Sequence, residues 1–304
     1  MNVKRLFLGL IMLVGLAEVD AAGYDVGNVS ASISLKVPGN DAVCYGLSLQ
    51  KLPGVDNGYQ MLAANKLPVK IVQTVVENGN KERITVTLTA TEDVYFSYGE
   101  QIKTGYRHDD CLFYMPGFWY RRNLRSPQQA PSFHTSDSWL VREDRLSTPL
   151  TAIFDEKSKK SMSVIRIDKF GDEALTTHKE GEVILSGKTS IGYTGFENVS
   201  GEAVLSFGFP YKEIPKTYIR KLTLAPPVEA FQFLRKGESM SITWEISERE
   251  ATDFSECVQR TWEYSYDTNK PQPVNTPYTP EKMKEVMSNF FVESYVGDTP
   301  THYY

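Results

Sequence analysis

From Arg83 to Thr91 apolar and hydroxyl side chains alternate without a break, Ile84-Thr85-Val86-Thr87-Leu88-Thr89. A period of two is the signature of a strand with one dry face and one wet face. The same rhythm runs through Ser30–Val37, and Val69–Val76 is apolar and β-branched. Turn residues fall where hairpins need them, at Pro38-Gly39-Asn40-Asp41, Pro53–Gly58 and Asn78-Gly79-Asn80. Further strands are predicted at Leu150–Asp155, Met162–Asp168, Glu182–Ile191, Ala203–Phe209, Tyr218–Ala225 and Glu238–Ile246. No long helical period interrupts them. Short strands joined by short loops pack as two stacked antiparallel sheets rather than as βαβ units. The expected fold class is therefore mainly β, a large antiparallel β-sandwich over residues 22–249 followed by one or two C-terminal helices.

The N-terminus carries a different signal. A cationic head, Lys4-Arg5, precedes the apolar run Leu6–Leu16, which is too short to span a bilayer, and small residues follow at Ala21-Ala22. Residues 1–21 read as a secretory signal peptide. No cysteine follows the run directly, so the expected mature product is periplasmic or secreted, without a lipid anchor or a membrane span. The net charge of −5 disfavours nucleic acid as a partner. The three cysteines form no CxxC pattern and allow at most one internal disulfide, for which Cys44 and Cys111, in strand-like sequence of the same half, are the candidates. Asn28-Val29-Ser30 and Asn198-Val199-Ser200 have the glycosylation acceptor pattern.

After Glu248 the period changes. Phe254, Val258 and Trp262 are spaced as one helical stripe, and a proline- and asparagine-rich loop completes a linker over residues 250–279. Thr279-Pro280-Glu281 then combines an N-cap, a proline at the first helical position and an acid in the first turn. It opens an amphipathic helix within residues 280–304, carrying Met283, Val286, Met287, Phe290 and Phe291, with Gly297 placed as its stop. That apolar stripe needs partners. It either folds back on the sandwich or begins a helical domain.

Unusual residues are densest between Tyr106 and Arg145. The run Phe118-Trp119-Tyr120-Arg121-Arg122-Asn123 offers aromatic faces for the apolar side of a sugar ring and guanidinium groups for hydroxyls or a uronate carboxylate. With His134, Trp139 and Asp144 across an irregular loop, the candidate substrate-binding residues are Trp119, Tyr120, Arg121, Arg122, His134, Trp139 and Asp144. The alternative places Phe118 and Tyr120 in the core, with Trp119 and Arg121 on a strand edge. Glycoside hydrolysis needs paired carboxylates; Asp110, Asp137, Glu143 and Asp144 are available, with His108 and His134 as proton carriers, but their spacing designates no catalytic residue. Arg142-Glu143-Asp144-Arg145 reads as a self-neutralising ion-pair strip on a surface. No HExxH, Walker A, GxSxG or dinucleotide pattern occurs, and no cofactor or metal is expected.

Taken together, the export signal, the sandwich with Met115-Pro116-Gly117-Phe118-Trp119-Tyr120 and Trp139–Pro149, the linking helix and the capped amphipathic helix resemble the front part of bacterial six-hairpin, (α/α)-toroid glycosidase-like proteins. The resemblance implies the N-terminal sandwich region of a polysaccharide-degrading protein, not catalytic alone, with poly- or oligosaccharide and a helical catalytic domain as partners. The catalytic carboxylates would lie on the toroid. A stand-alone secreted carbohydrate-binding module, or an envelope or adhesion sandwich, are the competing readings.

Overall fold

In the computed structural model, residues 26–125, 130–168, 180–218, 223–270 and 277–294 are described. In chain order the strands are β1 (Val29–Lys36), β2 (Val43–Lys51), β3 (Gly58–Leu62), β4 (Val69–Asn78), β5 (Lys81–Ala90) and β6 (Val94–Arg107). They continue as β7 (Cys111–Met115), β8 (Trp119–Arg121), β9 (Trp139–Arg142), β10 (Leu150–Asp155), β11 (Lys160–Arg166), β12 (Gly181–Ile184) and β13 (Tyr193–Val199). The last are β14 (Glu202–Phe209), β15 (Lys212–Glu213), β16 (Lys216–Tyr218), β17 (Thr223–Ala225), β18 (Val228–Leu234) and β19 (Ser239–Glu250). Helices α1 (Phe254–Asn269) and α2 (Pro280–Glu293) follow.

The strands form two antiparallel layers. A front layer runs β2-β1-β6-β14-β13-β9, with β18 continuing along β6 beyond the end of β14. A back layer runs β2-β3-β4-β5-β19-β11-β10-β7-β8. Strand β2 belongs to both: Val43–Leu47 pairs with β1 and Ser48–Lys51 with β3, which joins the layers at one edge. Beside them β12 pairs in parallel with β18, a departure from the purely antiparallel expectation.

The alternation in β5 sends Ile84, Val86 and Leu88 into the interior, where they meet Ile33, Ile71, Phe96, Tyr98, Phe207, Ile242 and Trp244. The outer side of the back layer carries a second apolar patch, Leu112, Tyr114, Ala152, Phe154 and Ile165, under Phe254, Cys257 and Tyr264 of α1. Trp262 is 48% exposed, against the stripe expected from sequence. At about 100° per residue Phe254, Cys257, Thr261 and Ser265 centre the buried stripe, and Trp262 falls at its margin.

Predicted and observed strands agree closely at β1, β4, β5, β10 and β14. Two readings change. Glu182–Ile191 is a strand only as far as Ile184, and Tyr218–Ala225 supplies the ends of the small β16–β17 hairpin. Cys44 is exposed while Cys111 and Cys257 are buried, and all three thiols are free. Burial pushes the Cys111 thiol up to about 12, which leaves it unreactive.

The chain divides at Thr268–Asn269 into two compact units. In the second, Thr279 caps α2, accepting a hydrogen bond on Oγ1 from the Lys282 amide at 3.2 Å, with Pro280 at the first helical position. No residue of α2 is buried. The signal-peptide segment 1–21 and the stop at Gly297 lie outside the described residues. No helix among the described residues is long and apolar enough to cross a membrane.

Candidate functional site

Register decides where the aromatic run points. Met115 pairs with Trp119 and Tyr114 with Tyr120, so Trp119 shares the inward face of Phe113 and Met115 while Tyr120 points outward beside Tyr114. Both Trp119 and Trp139 have no exposed surface. Their indole N–H groups donate to the Arg121 carbonyl at 2.8 Å and the Ser136 carbonyl at 2.9 Å. Around them pack Phe113, Phe133, Phe196 and His108, the last with Nε2 2.9 Å from the Asp137 carbonyl oxygen. This cluster fills the end of the sandwich between β8 and β9. Stacking on a sugar requires an open ring face, and in this structure neither indole offers one.

The remaining candidates separate. Arg122 donates to the Asp109 and Cys111 carbonyls and lies over the Phe133 ring, tying the end of β8 to the start of the neighbouring β7. Tyr120, 51% exposed, and Arg121, whose guanidinium is 5.5 Å from the Phe254 ring centre, belong to the outer surface beside α1. His134 is exposed, with Nε2 3.1 Å from the Leu124 carbonyl oxygen. Asp144 lies at the edge of the front layer. The structure thus brings Trp119 and Trp139 together in the interior, with Arg122 half-buried over the Phe133 ring beside them, and leaves the other four apart.

Asp144 belongs to a second constellation, and it corrects the reading of Arg142–Arg145 as a self-neutralising surface strip. Arg142 ends β9 and donates through Nε and Nη2 to both oxygens of Asp144, at 2.9 and 2.6 Å. Its guanidinium lies 4.3 Å from the centre of the Tyr211 ring. The helical turn Glu143–Arg145 then rotates the next side chains away from one another. Arg145 Nε pairs with Glu213 Oε1 at 2.6 Å. Glu143 turns inward, accepting from Arg166 Nε at 2.7 Å and from the Gly192 amide at 2.8 Å, while Arg166 also reaches the Ser190 carbonyl. Only the Arg142–Asp144 pair is internal to the strip.

Backbone pairing holds this group in place. Leu140 and Ile214 exchange hydrogen bonds at 2.7 and 2.9 Å, which docks β15 and Glu213 beside β9. Arg142 stands opposite Tyr193 on β13, whose ring crosses Gly99 and Gly208, where a Cβ would collide with it. Burial raises the carboxyls of Glu143 and Glu213 and the Tyr211 phenol above their ordinary values. The Tyr211 hydroxyl is buried, and the Glu213 carboxyl, besides its pair with Arg145, is faced by the Arg142 backbone N–H. Among the described residues no group of three His, Cys, Asp or Glu side chains is placed to hold a metal ion.

Sequence reasoning did not reach Arg166, Tyr211 or Glu213. Arg166 sits in the apolar run Ser163-Val164-Ile165-Arg166-Ile167, where a charge calls for a buried partner. Tyr211 and Glu213 lie between Pro210 and Pro215, a bracket that fixes a short segment without naming its task.

No family model and no curated protein matches the sequence. Solved structures give remote likenesses. A GH36 α-galactosidase from Geobacillus stearothermophilus in complex with raffinose has a TM-score of 0.41 at 8% identity, over 72% of this chain and 30% of that one. A polysaccharide lyase has a TM-score of 0.38 at 11% identity, over 78% and 28%. A putative aldose 1-epimerase from Escherichia coli K12 has a TM-score of 0.37 at 8% identity, over 72% and 79%. This chain therefore spans less than a third of the length of the lyase and of the galactosidase.

Proposed function

We propose that this chain is the N-terminal β-sandwich region of an exported polysaccharide-degrading, glycoside hydrolase-like protein, and that it binds saccharide without being catalytic alone. The observation that carries the reading is α2. A helix of this length is marginal in water by itself. It nevertheless has a complete N-cap and presents Met283, Val286, Met287, Phe290 and Phe291 with large exposed areas. Such a stripe is built for packing against further helices. The order of sandwich, linking helix and capped amphipathic helix is the one the toroid resemblance implies.

Export and a periplasmic or secreted location follow from reading residues 1–21 as a signal peptide cleaved near Ala21. On the sandwich, the polar side chains that support saccharide contact are those of the Arg142–Asp144 group rather than the buried indoles. No cofactor enters the reading.

Two measurements test it. Residues 22–304, purified and run through gels containing dissolved polysaccharides, are expected to be retarded in at least one gel and to release no reducing ends from that polysaccharide. Absence of retardation in every gel overturns the saccharide part, and release of reducing ends overturns the non-catalytic part. The genomic sequence after the codon for Tyr304 tests the helical-domain part, which an immediate stop codon overturns.

A further inference from the structure

We infer that the cleft between α1 and the back layer, walled by Lys81 and Arg249 on the strands and by Glu263 and Asp267 on the helix, is a subsite for a neutral sugar residue. This rests on the saccharide reading above and adds to it a site apart from the Arg142–Asp144 group, with its ligand class.

The cleft is open to solvent and has a volume of about 320 Å³, at the lower end of the range for small-molecule sites. Lys81 at the start of β5 and Arg249 near the end of β19 form one wall, and Arg260, Glu263 and Asp267, on successive turns of α1, form the other. Tyr264 fixes the strand wall: Lys81 Nζ lies 4.0 Å and the Arg249 guanidinium 4.9 Å from its ring centre, and its hydroxyl donates to the buried Glu245. Lys81 and Arg83 share that one carboxylate, at 3.6 and 3.0 Å. Arg249 donates through Nε to Ser247 Oγ at 3.0 Å, and among the described residues no carboxylate pairs with it. On the helix wall Arg260 is taken by Glu256 and by the Glu250 carbonyl, while Glu263 accepts from Gln259 at 2.9 Å. Among the described residues neither Glu263 nor Asp267 pairs with a cation.

Asp267 also stands in the last turn of α1, where a negative charge opposes the helix dipole and no basic residue offsets it. An acid kept there without a cation is explained by a ligand that donates to it. The two walls select the class of that ligand, because cations and carboxylates border the same space without closing on each other. An anion, a uronate included, would stand beside Glu263 and Asp267, and a cation beside Lys81 and Arg249. The vicinal hydroxyls of a neutral ring both accept and donate, so they meet Arg249 on one side and a carboxylate on the other.

The test uses residues 22–304 as the wild type, Asp267→Ala and Arg249→Gln, in gels containing a neutral polysaccharide (soluble β-glucan, galactomannan or starch) or a polyuronate (polygalacturonate or alginate). Each mobility is taken relative to a polymer-free gel, and the melting temperature of each protein is measured. The wild type is expected to be retarded by at least one neutral polymer and by neither polyuronate. In Asp267→Ala the dissociation constant rises about tenfold, the worth of one hydrogen bond to a charged group, while the melting temperature stays the same or rises, because the lost carboxylate opposes the helix dipole. Arg249→Gln weakens retardation by the same neutral polymer. If either variant migrates like the wild type in a retarding neutral gel, the subsite is overturned and the saccharide reading stands. A wild type retarded by a polyuronate at least as strongly as by any neutral polymer overturns the ligand class. If the wild type is retarded nowhere, both fall.

Discussion

Trp119 and Trp139 lie with their ring centres 5.5 Å apart inside the sandwich, one on the last strand of the back layer and the other on the last strand of the front layer. The contact closes the edge opposite the one where β2 joins the layers. Tilted aromatic pairs add an electrostatic component to the area they bury, and here both rings also keep their N–H groups satisfied. The residues that look most like a sugar platform in the sequence therefore hold the architecture together.

Replacing either indole by alanine is expected to cost about 3–5 kcal/mol, the range for emptying a buried aromatic site. Urea unfolding followed by circular dichroism measures it. Retardation in a polysaccharide gel, compared at equal folded fraction, is expected to stay unchanged. A selective loss of retardation with full stability would return these residues to the binding site.

Glu143 and Arg166 form the most enclosed ion pair of the site region, at 2.6 Å with both side chains nearly inaccessible. Removing one member leaves the other charge buried, so Glu143→Ala is expected to destabilise by about 3–5 kcal/mol. Arg166 keeps its bonds to the Ser190 and Asp168 carbonyls and the Asp168 carboxylate at 3.6 Å in that variant, which moderates the loss without cancelling it. A double-mutant cycle with Arg166→Met checks the assignment: the pair of substitutions together should cost less than the sum of the single ones.

The difference between what was legible in the sequence and what was not has a physical pattern. Strand β5 declares itself because Ile84, Val86 and Leu88 face inward and Thr85, Thr87 and Thr89 outward, and β4 through its β-branched run. The central strand of the front layer, β6, does not, since Tyr95-Phe96-Ser97-Tyr98-Gly99-Glu100-Gln101 places a buried glutamate inward, bonded to the Tyr98 hydroxyl at 2.5 Å, and small residues outward. The site divides in the same way. Asp144 was visible as a charge on a loop, but its setting was not: Glu213 and Arg166 reach the same strand end from distant parts of the chain, and only the β9–β15 bridge and the β10–β11 hairpin bring them there. The orientation of Trp119 against Tyr120 turns on a register of one residue, which alternation in a three-residue strand cannot fix.

His108 gives a pH dependence with a definite sign. It is buried against Phe113, Phe133 and Phe196, and desolvation lowers its pKa although the Asp137 carbonyl and the nearby Asp137 and Asp109 carboxylates oppose the shift; Arg122 reinforces it. The unfolded chain then binds more protons than the folded one as pH falls through about 6.5. The contribution is complete above that pH and declines below it until the folded imidazole is itself protonated. His108→Phe retains a ring but cannot titrate. Its unfolding free energy, measured from pH 8 to pH 5, is expected to fall less steeply than that of the wild type; parallel curves would show that His108 does not govern this window.

Two glycines of the front layer separate space from flexibility. Gly195 faces the β9 backbone, where an added Cβ would run into the carbonyl of Trp139 and the Cα of Leu140. Since Gly195 pairs with Leu140 and Phe196 with Trp139, the methyl of Gly195→Ala must push β9 from β13. An overpacked site of this kind costs about 1–3 kcal/mol, and more where the obstacle is backbone. Gly46 in β2 has no heavy atom within 4 Å of the same added Cβ. Gly46→Ala is expected to be neutral or stabilising by up to about 1 kcal/mol, through the reduced freedom of the unfolded chain. Because Arg142 follows Leu140 on the displaced strand, Gly195→Ala should also weaken retardation by a retarding polysaccharide, whereas Gly46→Ala should leave it intact. Thermal unfolding and gel retardation of the two variants side by side decide whether the β9–β13 contact supports both the fold and the Arg142–Asp144 pair.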